Sequence, residues 1–195
     1  MALDYRLLVG ADLASAIDDV AALRIAVFAE WPYLYDGDMG FERDYLAPYL
    51  SSDAATVMGA FDGDRLVGAS TALPLTQHSD DFSAAFTGTG FDLSDLYYCA
   101  ESVLLPEYRH QGAGHRFFDE RESRARALGF SWSCFCAVTR PDAHPARPAH
   151  YRPLDGFWRA RGYRPVPGAI AHFSWKDTGD ADETEKPLQF WIRSL

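Results

Sequence analysis

Apolar and polar residues follow one another along the chain in runs that predict both strands and helices. Residues 5–9 are typical of a short strand, and the apolar positions after them recur at helical spacing. We expect Asp12 to cap this helix, which should stop at Trp31-Pro32 because the residue before a proline is disfavoured in a helix. The apolar positions of the helix are Ile17, Val20, Ala21, Ile25 and Phe28.

A β-hairpin is the clearest local feature of the sequence. Residues 56–61 and 65–75 are strand-like runs, and the Asp62-Gly63-Asp64 segment between them suits a tight turn. A short helix over residues 79–86 follows, with Ser79 as its predicted cap.

The second half of the chain predicts a strand–helix–strand unit with a parallel crossover. Residues 95–105 form the longest strand candidate, residues 112–128 an amphipathic helix and residues 131–138 a buried strand. A helix over residues 154–161 and strands over residues 170–175 and 188–192 complete the prediction, with an exposed acidic segment, residues 177–185, between the last two strands. One α/β domain over residues 1–195 follows.

Composition and charge limit the classes of partner and the cellular compartment that the protein can have. The chain has 195 residues, 48% of them hydrophobic, which favours a folded core. Its 18 basic and 28 acidic residues give a net charge of −10, which argues against nucleic acid as a partner and leaves a cationic small molecule open. We expect no membrane segment and no export signal. The three cysteines fit no disulfide framework, so we expect a reduced, cytoplasmic protein.

The most informative segment is YCAESVLLPEYRHQGAGHRFF, residues 98–118. An apolar strand ends at Pro106, and a glycine-rich turn then leads into a helix. Glycines let the backbone approach a ligand closely, and the amide groups and dipole at the helix start attract an anion. A pyrophosphate is the expected ligand. The predicted cradle consists of Arg109, His110, Gln111, Gly112, Ala113, Gly114 and His115.

Two common phosphate-binding motifs are excluded. A Walker motif requires lysine after its second glycine, where this chain has His115. The dinucleotide fingerprint requires a third glycine, where this chain has Phe117.

What remains, Arg-x-x-Gly-x-Gly after a strand and a proline, resembles the acetyl-CoA signature of the GNAT superfamily of N-acetyltransferases. The tract GFWRARGYRP, residues 156–165, is similar to the second signature of that family, and the hairpin FDGDRLVGAS is similar to its second and third strands. The resemblance covers most of the chain, apart from residues 139–153 and the acidic segment. It implies a GNAT-like single domain with a central mixed sheet, helices on both faces and a splayed pair of parallel strands.

The resemblance also implies a cofactor site and an activity. Acetyl-CoA would insert its pantetheine arm between residues 95–105 and 131–138, against Val103, Leu104 and Leu105. A backbone amide near Val103 would stabilise the oxyanion of the reaction intermediate. The implied reaction is direct transfer of an acetyl group to a primary amine of a small molecule or peptide. Two alternatives stay open: a CoA-binding sensor or interaction protein with little turnover, and an acyltransferase that uses another acyl-CoA.

Candidate proton-transfer groups are less well defined. Glu101 interrupts an apolar strand, which favours a general base, although pairing with an arginine or exposure to solvent would also explain it. Asp95 is the second candidate. Many family members carry a tyrosine acid four positions before the last-helix glycine, but this chain has Trp158 there, and indole is no proton donor near neutral pH. Tyr151 is the alternative acid, and we expect Tyr163 to pack in the core.

The resemblance implies an acceptor site at the aromatic and acidic segment WPYLYDGD, residues 31–38, which continues to Phe41, Glu42, Asp44 and Tyr45. Trp31, Tyr33, Tyr35 and Asp36 combine ring faces with a carboxylate, which suits a cationic amine. A purely structural interpretation, in which the aromatic side chains belong to the core and the acidic side chains are solvated, stays open.

Other chemistry finds little support in the sequence. No histidine or cysteine pair has the spacing of a zinc site, so we predict no metal. A buried, unreactive role for Cys99 is favoured over an acyl-carrying one. No G-x-S-x-G elbow is present for a serine hydrolase. The sequence leaves a homodimer open.

Overall fold

The computed structural model describes residues 3–195, whose strands form a single mixed sheet in the order β1-β2-β3-β4-β6-β8-β7, with β5 paired to β3. The strands are β1 Asp4–Leu7, β2 Thr56–Asp62, β3 Arg65–Pro74, β4 Leu96–Tyr98, β5 Ser102–Leu104, β6 Trp132–Val138, β7 Arg164–Lys176 and β8 Glu183–Ser194. The helices are α1 Gly10–Phe28, α2 Met39–Ser51, α3 Asp80–Ala84, α4 Ala113–Ala127 and α5 Asp155–Ala160.

The sheet carries helices on both faces, because successive residues of each strand point to opposite sides. Apolar side chains of one face pack with α1, α2 and α3, as Val57 and Leu73 do. Those of the other face pack around α4 and α5, as Ala72 and Phe135 do. The mixed α/β fold class predicted from the sequence is confirmed.

The β2–β3 hairpin forms as predicted. Asp62 pairs with Arg65, which leaves Gly63 and Asp64 as the turn, and Gly63 has a φ of +63°. A left-handed conformation at this position favours glycine, which explains the Asp-Gly sequence.

The prediction of one continuous strand over residues 95–105 is wrong. The chain makes a helical turn at Leu93–Asp95 and then two short strands with different partners. β4 pairs with β3 and, in parallel, with β6, whereas β5 pairs within residues 3–195 with β3 alone, antiparallel. The last link between the β4 segment and β6 is the Cys99 amide, which donates to the Cys134 carbonyl at 2.7 Å. A gap therefore opens between β5 and β6, as in the predicted splayed pair.

A buried arginine from α4 stabilises this break. The Arg121 guanidinium donates to the backbone carbonyls of Glu101 at 2.6 Å and Thr71 at 3.3 Å, and to Ser102 Oγ at 2.7 Å. These bonds satisfy polar groups that an irregular, buried stretch of backbone would otherwise leave unpaired. The apolar run at residues 95–105 does not reveal the break, because the residue that stabilises it, Arg121, lies on a helix 20 residues further along the chain.

Several element ends differ from the prediction. β1 ends at Leu7 rather than residue 9. Helix α1 begins at Gly10 with no side-chain cap, so Asp12 lies in its first turn and is not the cap. It ends at Phe28, three residues before Trp31-Pro32. The Ser79 cap is confirmed, because its hydroxyl accepts from the Asp81 amide.

Residues 178–185 of the acidic segment are exposed as predicted, but Asp177 is not. β7 and β8 are longer than expected, so the connection between them shrinks and Glu183–Ser194 is strand. Asp177 is buried and pairs with Arg140 at 2.7 Å and Lys186 at 3.1 Å. These two cations explain why a carboxylate is tolerated there.

Candidate active site

The glycine-rich turn lies at the start of α4 and leaves an open space in front of its backbone. Gly112 has a φ of +88° and directly precedes the 15-residue helix α4. A Cβ atom added to Gly112 would meet no atom within 4 Å. His110 also has a positive φ, +63°, and its side chain is exposed.

Amide groups at this turn are available to an anion. The Gly112 carbonyl accepts from the Arg116 amide, which begins the hydrogen bonding of α4. Within residues 3–195, no backbone carbonyl or side chain accepts from the amides of residues 111–115. Free amides at a helix start carry partial positive charge, so the geometry fits a pyrophosphate.

Arg109 connects the turn to two other elements. Its Nε donates to the Leu104 carbonyl at 3.1 Å, and its Nη1 pairs with Glu30 at 2.8 Å. Glu30 directly precedes the predicted acceptor segment. The cation of the cradle is therefore shared with a carboxylate from the end of α1. His115 lies on the other side, 3.1 Å from Arg161 and against the ring of Phe157.

The register of β5 identifies the backbone groups that face the gap. Glu101 accepts from Thr71, and Leu105 donates to Val67, both of them in β3. Backbone groups alternate along a strand, so Val103 also faces β3, while the amides of Ser102 and Leu104 face the gap. Val103 itself is buried, and Leu104 and Leu105 are half-buried. The free amides next to the predicted Val103 position thus belong to its two neighbours.

A cavity of about 820 Å³ opens where β4 and β6 separate. Helices α1 and α2, the β4–β5 junction, β6 and β7 form its walls. Tyr33, Tyr35 and Asp36 line it, as does Glu101. Trp31 lies outside these walls and contacts the rings of His144 at 5.0 Å and Tyr151 at 5.9 Å between centroids.

The cavity floor holds a buried cluster of three charged side chains. The Arg24 guanidinium forms ion pairs with both Glu42 and Glu101. These residues are 6%, 0% and 5% exposed, respectively. Thr71 also donates to Glu101, and Tyr45 donates to it at 2.6 Å. Both oxygens of Glu101 are therefore engaged.

Burial would raise the pKa of Glu101, but the Arg24 guanidinium and the hydrogen bonds from Thr71 and Tyr45 outweigh it and hold that pKa below its usual range. The neighbouring His78 is neutral near pH 7, because burial lowers its pKa to about 4. The Glu101 carboxylate is thus an anion at neutral pH, and its pairing with an arginine is the alternative that the sequence left open.

Sequence reasoning missed Arg24, and it named Glu42 and Tyr45 only as members of the aromatic and acidic segment, not as partners in a buried charged cluster. One signal was present: Arg24 follows Val20 by four residues and so falls on the apolar face of α1. A charged residue on that face indicates a buried partner, but its partners are 18 and 77 residues away.

The candidate acids lie in different environments. Tyr163 packs in the core as predicted, and its hydroxyl donates to Glu122 at 3.0 Å. Trp158 packs between Phe135 and Trp191. Tyr151 is half-buried beside Trp31 and does not line the cavity, and burial raises its pKa.

The three cysteines are buried and unpaired. Burial raises the pKa of each thiol, to about 12 for Cys136, which lines the cavity. A thiol with such a pKa is a poor nucleophile. Across residues 3–195, no three metal-binding side chains are grouped to hold an ion. In the same range, no helix is long and apolar enough to cross a bilayer.

Solved structures share this fold over their full length. A GNAT-family acetyltransferase described as putative, from Desulfovibrio desulfuricans, is 13% identical with a TM-score of 0.58, and 99% of each chain is covered. The ribosomal-protein-alanine N-acetyltransferase of Brucella melitensis is 14% identical with a TM-score of 0.60, covering 99% of this chain and 100% of that one. NAA60 of Arabidopsis thaliana, solved with a bisubstrate analogue, is 13% identical with a TM-score of 0.62, covering 99% and 98%.

The chain therefore has the GNAT acetyltransferase fold that its sequence motifs predicted. No protein-family model and no curated protein matches its sequence. At these identities the shared property is the fold.

Proposed function

We propose that the protein transfers the acetyl group of acetyl-CoA to a primary amine of a small molecule or peptide. One observation carries the proposal: the gap between β5 and β6 lies between the glycine turn and the acidic cavity. Arg109 joins the turn to β5, and Ala100, Glu101 and Cys136 line the cavity where the strands separate. A molecule that bound the turn by its pyrophosphate would reach the cavity through this gap.

The residues of the turn and of β5 have distinct roles in this proposal. The amides of residues 111–115 and the side chain of Arg109 hold the pyrophosphate, with His110 and His115 at the edges of the cradle. Val103, Leu104 and Leu105 contact the pantetheine arm. An amide of β5 that faces the gap, from Ser102 or Leu104, stabilises the negative charge that develops on the acyl oxygen. Acetyl-CoA supplies the activated acyl group.

Glu101 binds and orients the amine rather than accepting its proton as a general base. A carboxylate with a lowered pKa is a weak base, whereas a lysine-like ammonium has a pKa near 10. The anion attracts and orients the amine, which loses its proton to water. Tyr151 stays the predicted acid for the departing thiolate. Tyr33, Tyr35 and Asp36 contact the acceptor, and Trp31 packs beside Tyr151.

Thiol release from acetyl-CoA tests the proposal. The purified protein is incubated with acetyl-CoA and a panel of primary amines, and both free CoA and the acetylated amine are quantified. We expect amine-dependent release with equal amounts of the two products. CoA binding without release for any amine would contradict transfer and favour the sensor alternative. Faster release from a longer acyl-CoA would replace acetyl by that acyl group.

The Glu101→Gln variant should lose activity most at lower pH. Removal of the carboxylate weakens the hold on a protonated amine, and protonated amine predominates below pH 9. We expect kcat/KM to fall roughly 10-fold at pH 7 and less at pH 9.5, a size typical of one charge-assisted hydrogen bond. Glu107→Gln, an exposed site outside the cavity, is the control. Parallel pH profiles for Glu101→Gln and the parent would reject this role.

The Glu30→Gln variant should bind CoA more tightly. Glu30 competes with a pyrophosphate for Arg109, and its removal frees the guanidinium and deletes a nearby negative charge. A partly exposed ion pair such as this one contributes up to about 1 kcal/mol, so we expect the Kd to fall by about two- to fivefold in titration calorimetry. Glu107→Gln is the control. It removes a negative charge near the turn that is paired with Arg65 and not with Arg109, so it should leave the CoA affinity unchanged. Weaker binding by Glu30→Gln would show instead that Glu30 positions Arg109.

A further inference from the structure

The charged cluster on the cavity floor has an excess of negative charge. Arg24 is a single cation, while Glu42 and Glu101 are two carboxylates that both pair with it. All three side chains are buried, so water screens this excess poorly. An uncompensated buried anion is costly unless a cation joins it.

Among the residues that the structure describes, no other side chain of the floor supplies that cation. Tyr45, Tyr49 and His78 are neutral, because burial raises the pKa of both phenols and lowers that of the imidazole. Arg121 lies on the opposite face of the sheet and binds backbone carbonyls. Lys176, at the rim, is paired with Asp36.

One carboxylate oxygen in the cluster also lacks a charged donor. Arg24 bonds to Oε2 of the fully buried Glu42, and among the described residues no cation bonds to Oε1, although the side chain forms part of the cavity wall. The neutral phenol of Tyr35 is the nearby donor, and burial, the charge of Glu42 and a hydrogen bond to it raise the pKa of this phenol. A ligand with a charged N–H donor would satisfy both the oxygen and the charge.

The remaining walls of the cavity are also acidic, and they are rich in aromatic side chains. Of the lining residues in the described part of the chain, only Lys176 and Arg24 are basic. Its further carboxylates are Asp36, Asp38, Asp44, Asp81 and Glu183. Its aromatic walls, which suit both alkyl chains and cations, are Phe28, Tyr33, Tyr35, Phe41, Tyr45, Phe82, Tyr98, Phe173 and Trp175.

The reacting amine alone cannot neutralise this site. It must lose its proton to attack, and the amide that it becomes carries no charge. The cation that matches the floor during the reaction therefore belongs to a second nitrogen of the same molecule. We propose that the acceptor is an aliphatic diamine or longer polyamine, acetylated at one end while another nitrogen stays protonated in the cavity near Glu42. This inference rests on the proposed acyl transfer.

Binding without an acyl donor tests the ligand class separately from transfer. Titration calorimetry at low salt compares 1,4-diaminobutane with 1-aminopentane, a monoamine of the same length. We expect the diamine to bind at least about 10-fold more tightly. N-acetyl-1,4-diaminobutane, which keeps one cation, should in turn bind more tightly than neutral N-butylacetamide. Equal affinities within each pair would overturn the inference.

Variants locate the second nitrogen. Glu42→Gln should remove most of the preference for the diamine, and thermal unfolding shows whether this buried change has harmed the fold. Glu183→Gln at the exposed rim leaves the floor intact and should reduce the preference by about threefold. Glu120→Gln, at a half-buried charge on α4 that pairs with Arg116 outside the cavity, should leave it unchanged. An undiminished preference in both folded cavity variants would overturn the placement.

Turnover separates the two proposals. Selective diamine binding without thiol release for any amine would overturn acyl transfer but retain the dicationic ligand. Thiol release with equal kcat/KM for 1-aminopentane and 1,4-diaminobutane would retain acyl transfer and overturn the diamine acceptor.

Discussion

The Gly112→Glu variant is expected to bind CoA at least about 100-fold more weakly than the parent, a loss of about 2.7 kcal/mol. A side chain at this position projects into the open space before the free amides of residues 111–115. It would occupy the place of the pyrophosphate and bring a negative charge to a site that attracts anions. Calorimetry with CoA measures the loss.

Gly129→Glu is the matched control for backbone strain. Gly129 follows the other end of α4 with a φ of +86°, and a Cβ atom there also meets nothing within 4 Å. Both variants should lose about 1 kcal/mol of stability because the left-handed conformation disfavours side chains. Only Gly112→Glu should lose CoA. Parent-like CoA affinity in that variant would reject the cradle.

The Arg24→Met variant should lose about 3–5 kcal/mol of unfolding free energy at pH 7. The substitution leaves Glu42 and Glu101 buried together without their common cation. Arg43→Met breaks an exposed ion pair with Asp18 between the same two helices and should change stability little. Urea unfolding of both variants measures the difference, and equal losses would show that the buried cluster contributes nothing special.

The pH dependence of the Arg24→Met effect follows from the carboxylates. In the folded parent, the pKa of Glu101 lies below its value in the unfolded chain, which is about 4.3. Ionised Glu101 therefore stabilises the fold above about pH 4.3, and this stabilisation is lost as the pH falls through the pKa of the folded state. In the variant, burial and the neighbouring Glu42 side chain, no longer offset by Arg24, raise the pKa of Glu101 above its unfolded value, so stability is lost as the pH rises through that raised pKa. The two curves should therefore diverge between about pH 4 and pH 7. Parallel curves would contradict this account.

Local patterns predicted the features that depend on neighbouring residues. The Asp-Gly turn and the glycine-rich start of α4 both require left-handed backbone, which the sequence signals directly. The strand break and the charged floor depend instead on distant partners, Arg121 for the one and Arg24 for the other. Asp177 was misjudged for the same reason, because its partners Arg140 and Lys186 lie outside the acidic segment. The predicted site residues themselves stay predictions.

The short length of β4 has a mechanical consequence. Two residue pairs connect it to β3 and three to β6, so the sheet consists of two well-hydrogen-bonded halves that share a narrow seam. Helix α4 packs against β2 and β3 in one half and β6 in the other. The spacing between the halves therefore depends more on side-chain packing under α4 than on a long ladder of backbone bonds, and a seam with so few hydrogen bonds opens locally at a lower free energy than the rest of the sheet.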